Sequence, residues 1–360
     1  MVCTLLGTMI NSPIISAEEN NSNVTIWVSP SGNDSNPGTM ERPLKTPTAA
    51  KIKAQSLIKE ANDGVEVLFR GGEYRFSESL AFTAADSGSK DKPVVYKAYN
   101  GEKVEFKGSL EADASKGEYV TDEKVLSRLY DSVKNKVVRF DLKSFGFTSN
   151  MVRQPAVEDG AYALKNGEVN GIYINGTAQK VAEWPNGEGI YKRWDNAVNA
   201  TTIEYTDAEP NRWAKAKDYW LAGYPSYDYY YIRQSVTGLN TDEKTISIYS
   251  SIPMHQFTSS QSRRWKAMNL LEEIDVPGEY YIDTENLILY LYPTESLKGA
   301  KMEISWLNTP MITFTNAKNI TFDGITFAQT RGVGIKMVNV DNVDLKNCTF
   351  EDVLSHAVEV

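Results

Sequence analysis

The final fifty residues repeat with a period of 23. Ile312, Phe314 and Ile320 recur as Ile335, Met337 and Val343, and Phe322, Ile325 and Phe327 recur as Leu345, Cys348 and Phe350. Met311, Gly334 and Ala357 open successive copies, the third of which stops at Val360. Three short alternating apolar runs per copy, at a fixed period in the twenties, mark stacked units that are each too small to bury an apolar face alone. Each copy reads as one rung of a parallel β-helix. Residues 334–337, 343–345 and 348–350 form its three strands, with a short turn at Lys346-Asn347 and a longer one from Glu351 to His356.

Upstream, strand-like runs at residues 26–28, 65–69, 74–76, 80–82, 94–96 and 104–106 are separated by loop signals such as Gly71-Gly72 and Asn100-Gly101, and read as earlier rungs. Residues 48–61 have helical spacing with Thr48 as N-cap, suiting a helix that covers the open end of the stack. From about 113 to 305 the period is lost, and runs such as 172–174, 246–249, 280–282 and 287–292 are spaced as hairpins. The expected organisation is a leader over 1–17, a cap with first rungs over 18–112, an inserted β-rich domain over 113–305, and further rungs over 306–360.

Composition excludes several functions. A net charge of −9 without a lysine or arginine run makes nucleic acid and anionic membrane unsuitable partners. No stretch after the leader approaches the ~20 apolar residues of a membrane span. Residues 1–17 are apolar and rich in small side chains, then give way to Glu18 and Glu19, as at the cleavage end of a secretory signal. No basic residue precedes Arg42, so the usual basic start is missing, and a buried N-terminal strand or cap is the alternative. Cys3 and Cys348 build no disulfide framework, with Cys348 expected in the core. His255 and His356 are far apart, so no metal-ligand spacing exists; the run Asn33-Asp34-Ser35-Asn36 reads as an Asx-rich loop before a calcium site.

Several stretches carry a family resemblance. Trp27-Val28-Ser29-Pro30-Ser31-Gly32-Asn33-Asp34-Ser35-Asn36-Pro37-Gly38-Thr39, then Arg42-Pro43-Leu44-Lys45-Thr46, Gly71-Gly72-Glu73-Tyr74, Asp86-Ser87-Gly88, Pro93 through Tyr99 and Gly101-Glu102-Lys103-Val104 resemble secreted right-handed parallel β-helix carbohydrate enzymes, a pectate-lyase-like solenoid. The run from Asn269 through Asp283, continuing to Leu289-Tyr290-Leu291-Tyr292-Pro293, resembles glycoside hydrolase family 141. Glycoside hydrolase family 120 is similar in architecture. The resemblance implies a secreted all-β protein acting on a plant-type or host polysaccharide, without cofactor, and as a monomer. Polysaccharide lyases share the scaffold, with calcium as a possible helper on a uronate glycan, and a non-catalytic carbohydrate-binding surface protein is a third reading. The family's acid pair is expected beyond Val360, so this chain alone is expected to be an inactive fragment that aggregates through its open end.

Glycoside hydrolysis uses two carboxyl groups roughly 5 to 9.5 Å apart, depending on mechanism. Subtracting 23 places Asp341 over Lys318, Asp344 over Thr321, Glu351 over Ala328, Asp352 over Gln329, Glu359 over Lys336, and Lys346 over Asp323, so no column stacks two acids. Asp352, His356 and Glu359 are the candidate catalytic residues on the expected cleft side, and Asp323 with Asp344 is a diagonal alternative. Arg331 and Lys336 are candidate contacts to an acidic sugar. Asn316 with Asn339, and Asn319 with Asn342, stack as an architectural ladder. In the insertion, Trp184, Tyr191, Trp194, Trp213, Tyr219, Trp220, Tyr224, Tyr227 and Tyr229-Tyr230-Tyr231 suit either sugar stacking or a β core. Trp184-Pro185-Asn186 is the turn expected to reach the cleft, making Trp184 and Asn186 candidate substrate contacts.

Overall fold

In the computed structural model the described residues are 24–152, 170–194, 196–224, 229, 231–249 and 263–360. The leader expected over 1–17, Cys3, Tyr227, Tyr230 and His255 lie outside them. The chain is mostly β. Three parallel sheets run side by side, with strand orders that step through the same copies. The first holds Val24–Val28, Val65–Phe69, Val94–Ala98, Lys318–Asp323 and Asp341–Lys346. The second holds Gly72–Arg75, Val104–Lys107, Ile325–Thr330 and Thr349–Val353, and the third Leu80–Phe82, Ile312–Thr315, Ile335–Val338 and Val358–Glu359.

The register follows the 23-residue arithmetic: Ile312 faces Ile335, Ile320 faces Val343 and Phe327 faces Phe350. Alternation explains why. Inward residues of all three sheets, including Phe82, Phe106, Phe314, Phe322 and Phe327, join one apolar cluster and are shielded from water. Like residues stack along it: Tyr96 on Phe322 at 5.0 Å, Phe82 on Phe314 at 5.0 Å, Phe327 on Phe350 at 5.1 Å. At the corners Asn316, Asn319, Asn339 and Asn342 take positive φ between 51° and 56°, which asparagine tolerates better than most residues. Their amides bond along the stack, Asn339 to Asn316 at 2.5 Å and Asn342 to Asn319 at 2.8 Å.

The helix is Pro47–Leu57, and its N-cap is Thr46, not Thr48. Proline fits the first helical position, where no N–H is needed, and the extended Thr46 accepts the Ala49 N–H at 3.1 Å. Asp34 holds this start, its Oδ1 accepting the Lys45 and Thr46 N–H groups at 2.8 Å each. Asn33 Oδ1 accepts the Ser35 N–H at 2.9 Å, the geometry of an Asx turn. Ala50 and Ala54 bury against the outermost strand, Val24–Val28, and its neighbour.

Between Lys107 and Ile312 the chain leaves the parallel sheets, yet Val104–Lys107 pairs directly with Ile325–Thr330, and Leu80–Phe82 with Ile312–Thr315. The excursion leaves and returns through one antiparallel pair, Ser109 facing Ser305 and Asp113 facing Lys301. Its sheets are largely antiparallel, and three separate apolar clusters serve it. Trp194, Trp213, Tyr219 and Trp220 are buried, so these rings fill cores and do not offer faces to a ligand. Cys348 is half-buried at the edge of the parallel core, where burial raises its thiol above its ordinary value.

Candidate functional site

The candidate acids separate in space. Glu359 stands opposite Lys336 on adjacent strands and the two form an ion pair at 2.7 Å, each about two-fifths exposed. That pair neutralises itself. His356 is exposed, its carbonyl accepting the Gly334 N–H at 2.9 Å. Asp323 accepts from Asn347 Nδ2 at 2.7 Å and Asp344 pairs with Lys346 at 3.3 Å, which binds both halves of the diagonal alternative to neighbours. Arg331, expected on an open face, is 3% exposed and donates to the Met151 carbonyl at 2.8 Å. It is buried where the excursion meets the parallel stack.

Asp352 is placed differently. It sits between Glu351, which flanks Ala328, and Val353, which faces Thr330, in a left-handed kink at φ 51° that Gln329 repeats one strand below. The kink turns it toward the excursion. There the turn 352–355 and the strands Ile172–Ile174, Thr177–Ala178 and Lys180–Val181 bound a cleft of about 410 Å³. Asp352 is the only charged side chain among the described residues lining it. Burial first, and then the charge of Glu351, raise its carboxyl above the ordinary value.

Alternation also builds the opposite wall. Ile172 and Ile174 point into an apolar cluster of the excursion, so Tyr173 between them faces the cleft side. Burial, then the Asp352 charge, push its hydroxyl well above the usual phenol range. Tyr173 is in register with Glu303, and Glu303 heads a buried polar seam joining the excursion to the second parallel sheet. Arg75 and Lys107 reach Glu303 Oε1 at 2.6 and 3.0 Å, and Gln329 Nε2 donates to its Oε2 at 3.2 Å. Burial alone would raise Glu73 in the same seam. Hydrogen bonds from Lys107 and Lys301, with the Arg75 charge, outweigh it and lower Glu73 to about 2. Gln329 is therefore spent on Ser109 and Glu303, while Asp352 at the equivalent position above faces the open cleft.

The turn at Trp184 meets a second acidic group. Asn186 Nδ2 donates to Asp275 Oδ1 at 2.7 Å, bringing two stretches singled out in the sequence together. Trp184, after which the peptide to Pro185 is cis, packs on Trp213 at 5.6 Å and Trp265 at 5.7 Å, with Lys192 4.9 Å over its ring. Nearby Glu273 and Glu279 are 1% and 3% exposed. Burial raises Glu273 to about 7 despite the Trp213 and Arg212 donors, and raises Glu279 to about 8 despite two backbone N–H bonds, with the Asp275 charge adding to the rise. None of these residues lines the cleft at Asp352.

Tyr173 and Glu303 were invisible as site residues in the sequence. The Asn175-Gly176 turn signal beside an Ile-Tyr-Ile run was the available hint. Among the described residues no three His, Cys, Asp or Glu side chains converge as a metal set, and no helix is long and apolar enough to cross a membrane.

No family model matches the chain. It is 30% identical over 166 residues to the uncharacterized protein YwoF of Bacillus subtilis strain 168, covering 46% of this chain and 29% of that one. It is 34% identical over 83 residues to pectate lyase PEL9 of Emericella nidulans, covering 23% and 18%. The chain thus spans less than a third of these curated relatives. A solved structure described as a glycoside hydrolase superposes with a TM-score of 0.67 at 17% identity, covering 90% of this chain and 61% of that one. At that identity the likeness is one of fold.

Proposed function

We propose that this is a secreted carbohydrate-active protein on a right-handed parallel β-helix, with residues 113–305 as an inserted β-rich domain, and that it hydrolyses a polysaccharide. The parallel ladders with three strands per copy support that architecture, as does the fold likeness to a glycoside hydrolase. The resemblance to glycoside hydrolase family 141 supplies the reaction class. Asp352 is the candidate acid: it is the one charged side chain among the described residues lining the cleft, and partial burial with the Glu351 charge raises its carboxyl, the direction required of a group that donates to a glycosidic oxygen as the bond to the sugar breaks. The second carboxyl of the pair is not among the cleft residues. Partners are polysaccharide or oligosaccharide, the protein acts as a monomer, and no cofactor is required.

A lyase that removes a proton beside a uronate needs positive charge, from a basic side chain or calcium. No basic side chain lines the cleft among the described residues, Lys336 is paired with Glu359, and Arg331 is buried. This favours hydrolysis over elimination, although a pectate lyase is among the relatives. Full-length protein incubated with xylan, β-glucan and polygalacturonate tests the choice. New reducing ends without ultraviolet absorbance, with turnover falling ~100-fold or more in Asp352→Asn, are expected. An unsaturated product would move the assignment to a lyase, and tight binding without cleavage to a carbohydrate-binding surface protein.

A further inference from the structure

Two polar atoms beside the cleft, on residues that line it, lack any hydrogen-bond partner: the Tyr173 hydroxyl and Gln179 Oε1. Their residues are 1% and 8% exposed. Gln179 Nε2 donates to the Thr177 carbonyl at 3.0 Å, which fixes the amide and leaves Oε1 as an acceptor with nothing to accept. The Tyr173 hydroxyl lies against Gly171. A Cβ there would stand 2.5 Å from that hydroxyl and 3.0 Å from Leu354 Cδ1, so tyrosine and leucine close over a position where a larger side chain would have to displace them. Ser305, whose Oγ accepts the Gly171 N–H at 2.6 Å, lies near enough to the phenol to lower its pKa slightly by a weak polar contact, but outside well-formed hydrogen-bond geometry.

Folded proteins leave few buried polar atoms unpaired, because each carries the desolvation cost of a bond not made. Both atoms are shielded from bulk solvent. Ala178, Val181, Val353 and Leu354 give the cleft apolar contact, with Ser355 beside Asp352. Apolar contact set beside uncharged hydroxyl and amide groups matches a neutral sugar, which presents C–H faces and hydroxyl edges and carries no charge to oppose Asp352.

We infer that Tyr173 and Gln179 form a closed hydroxyl-recognition subsite beneath Leu354, which opens when a neutral sugar unit enters the cleft beside Asp352. Tyr173 donates to a sugar oxygen, and Gln179 Oε1 accepts from a sugar hydroxyl. Leu354 is the gate: its backbone stays tied by its N–H to the Thr330 carbonyl at 2.8 Å, and its side chain moves. This rests on the hydrolytic reading of the same cleft.

The test is calorimetric binding of xylopentaose, cellopentaose and tri-galacturonate to the full-length protein and to Tyr173→Phe, Gln179→Met and Leu354→Ala. The neutral probes should bind, with affinity falling about tenfold in Tyr173→Phe, the loss of one well-made hydrogen bond. Its melting temperature should stay level or rise, because the deleted hydroxyl has no partner in the free protein. Leu354→Ala should associate faster. Asp352→Asn should lose turnover while keeping affinity. If the protein binds or cleaves a neutral glycan and neither Tyr173→Phe nor Gln179→Met weakens binding, the subsite is wrong and the hydrolase reading stands. If no probe binds and no reducing ends appear, both fall together. Gln179→Met decides the matter should Tyr173→Phe fail to fold.

Discussion

The parallel stack and the excursion between Lys107 and Ile312 handle charge in opposite ways. Several ion pairs of the stack sit on outer faces and join adjacent copies: Lys318 with Asp341, Lys336 with Glu359, Lys97 with Glu66. Exposed pairs of this kind contribute little to stability. Where the excursion meets the stack and within itself, ions are buried: Glu303 among Arg75, Lys107 and Gln329, and Glu272 held by Arg128 at 2.7 and 3.1 Å. The periodic region is built to repeat, and its chemistry cancels. Shifted carboxyls gather inside the irregular region and on the face of the stack that meets it, and the unpaired polar atoms lie with them.

The sharpest break of this contrast compares two acids of like size. Glu303→Ala removes one of the two carboxylates that Arg75 and Lys107 share, leaving Glu73 to hold both, and should cost about 1.5–3 kcal/mol, read from denaturant unfolding. Glu359→Ala removes an exposed pair and should cost no more than about 1 kcal/mol. Equal costs would mean that the seam is hydrated and that the two regions do not differ. Core truncation calibrates the scale: Phe322→Ala, buried and stacked on Tyr96, should cost about 3–5 kcal/mol.

Proton linkage separates the seam from the interior of the excursion by sign. Glu273 and Glu279 have folded pKa values of about 7 and about 8, above their ordinary 4.5, so the folded state holds protons that the unfolded chain releases. Their stabilisation is full below pH 4.5 and is lost as pH rises through 7 to 8, on the order of 3 kcal/mol for Glu273. Glu73, at about 2 in the folded state, works in reverse: its contribution is present above pH 4.5 and is lost as pH falls toward 2. Melting curves from pH 3 to 9 should therefore fall on both sides. Glu273→Gln and Glu279→Gln should flatten the alkaline limb alone. A limb unchanged by both would remove these carboxyls as its cause.

The same division governs what could be read from residues alone. Within one period, spacing is a ruler, and it gave the strand registers, the asparagine ladder and the Lys336–Glu359 pair. It has no purchase across the excursion, so nothing in the spacing announced that Val104–Lys107 lies directly on Ile325–Thr330, or that Tyr173 faces Glu303. Grouping Asp352 with His356 and Glu359 followed closeness along the chain. The kink at φ 51° sends Asp352 to the cleft, whereas Glu359 lies on another strand with a lysine opposite. Thr48 and Thr46 are equally good caps by side chain, and Pro47 between them decides it by fitting the first helical position. Thr46→Ala should accordingly cost about 1 kcal/mol and Thr48→Ala only a few tenths, both measurable by thermal unfolding.

The smallest effects test whether the ladder stabilises through its hydrogen bonds or through its backbone. Asn339 is exposed, holds φ at 51° and donates to Asn316 at 2.5 Å. Asn339→Ala loses both the bond and a side chain that tolerates the left-handed region, and should cost about 1–2 kcal/mol. Asn339→Gly loses only the bond, because glycine adopts positive φ freely, and should cost about 0.5 kcal/mol at an exposed site. If the two variants are equally destabilised, the amide ladder itself carries the corner, and the asparagine columns are more than a means of turning the chain. If alanine is much the worse, each corner is set by backbone conformation, and the stacked amides follow from the period.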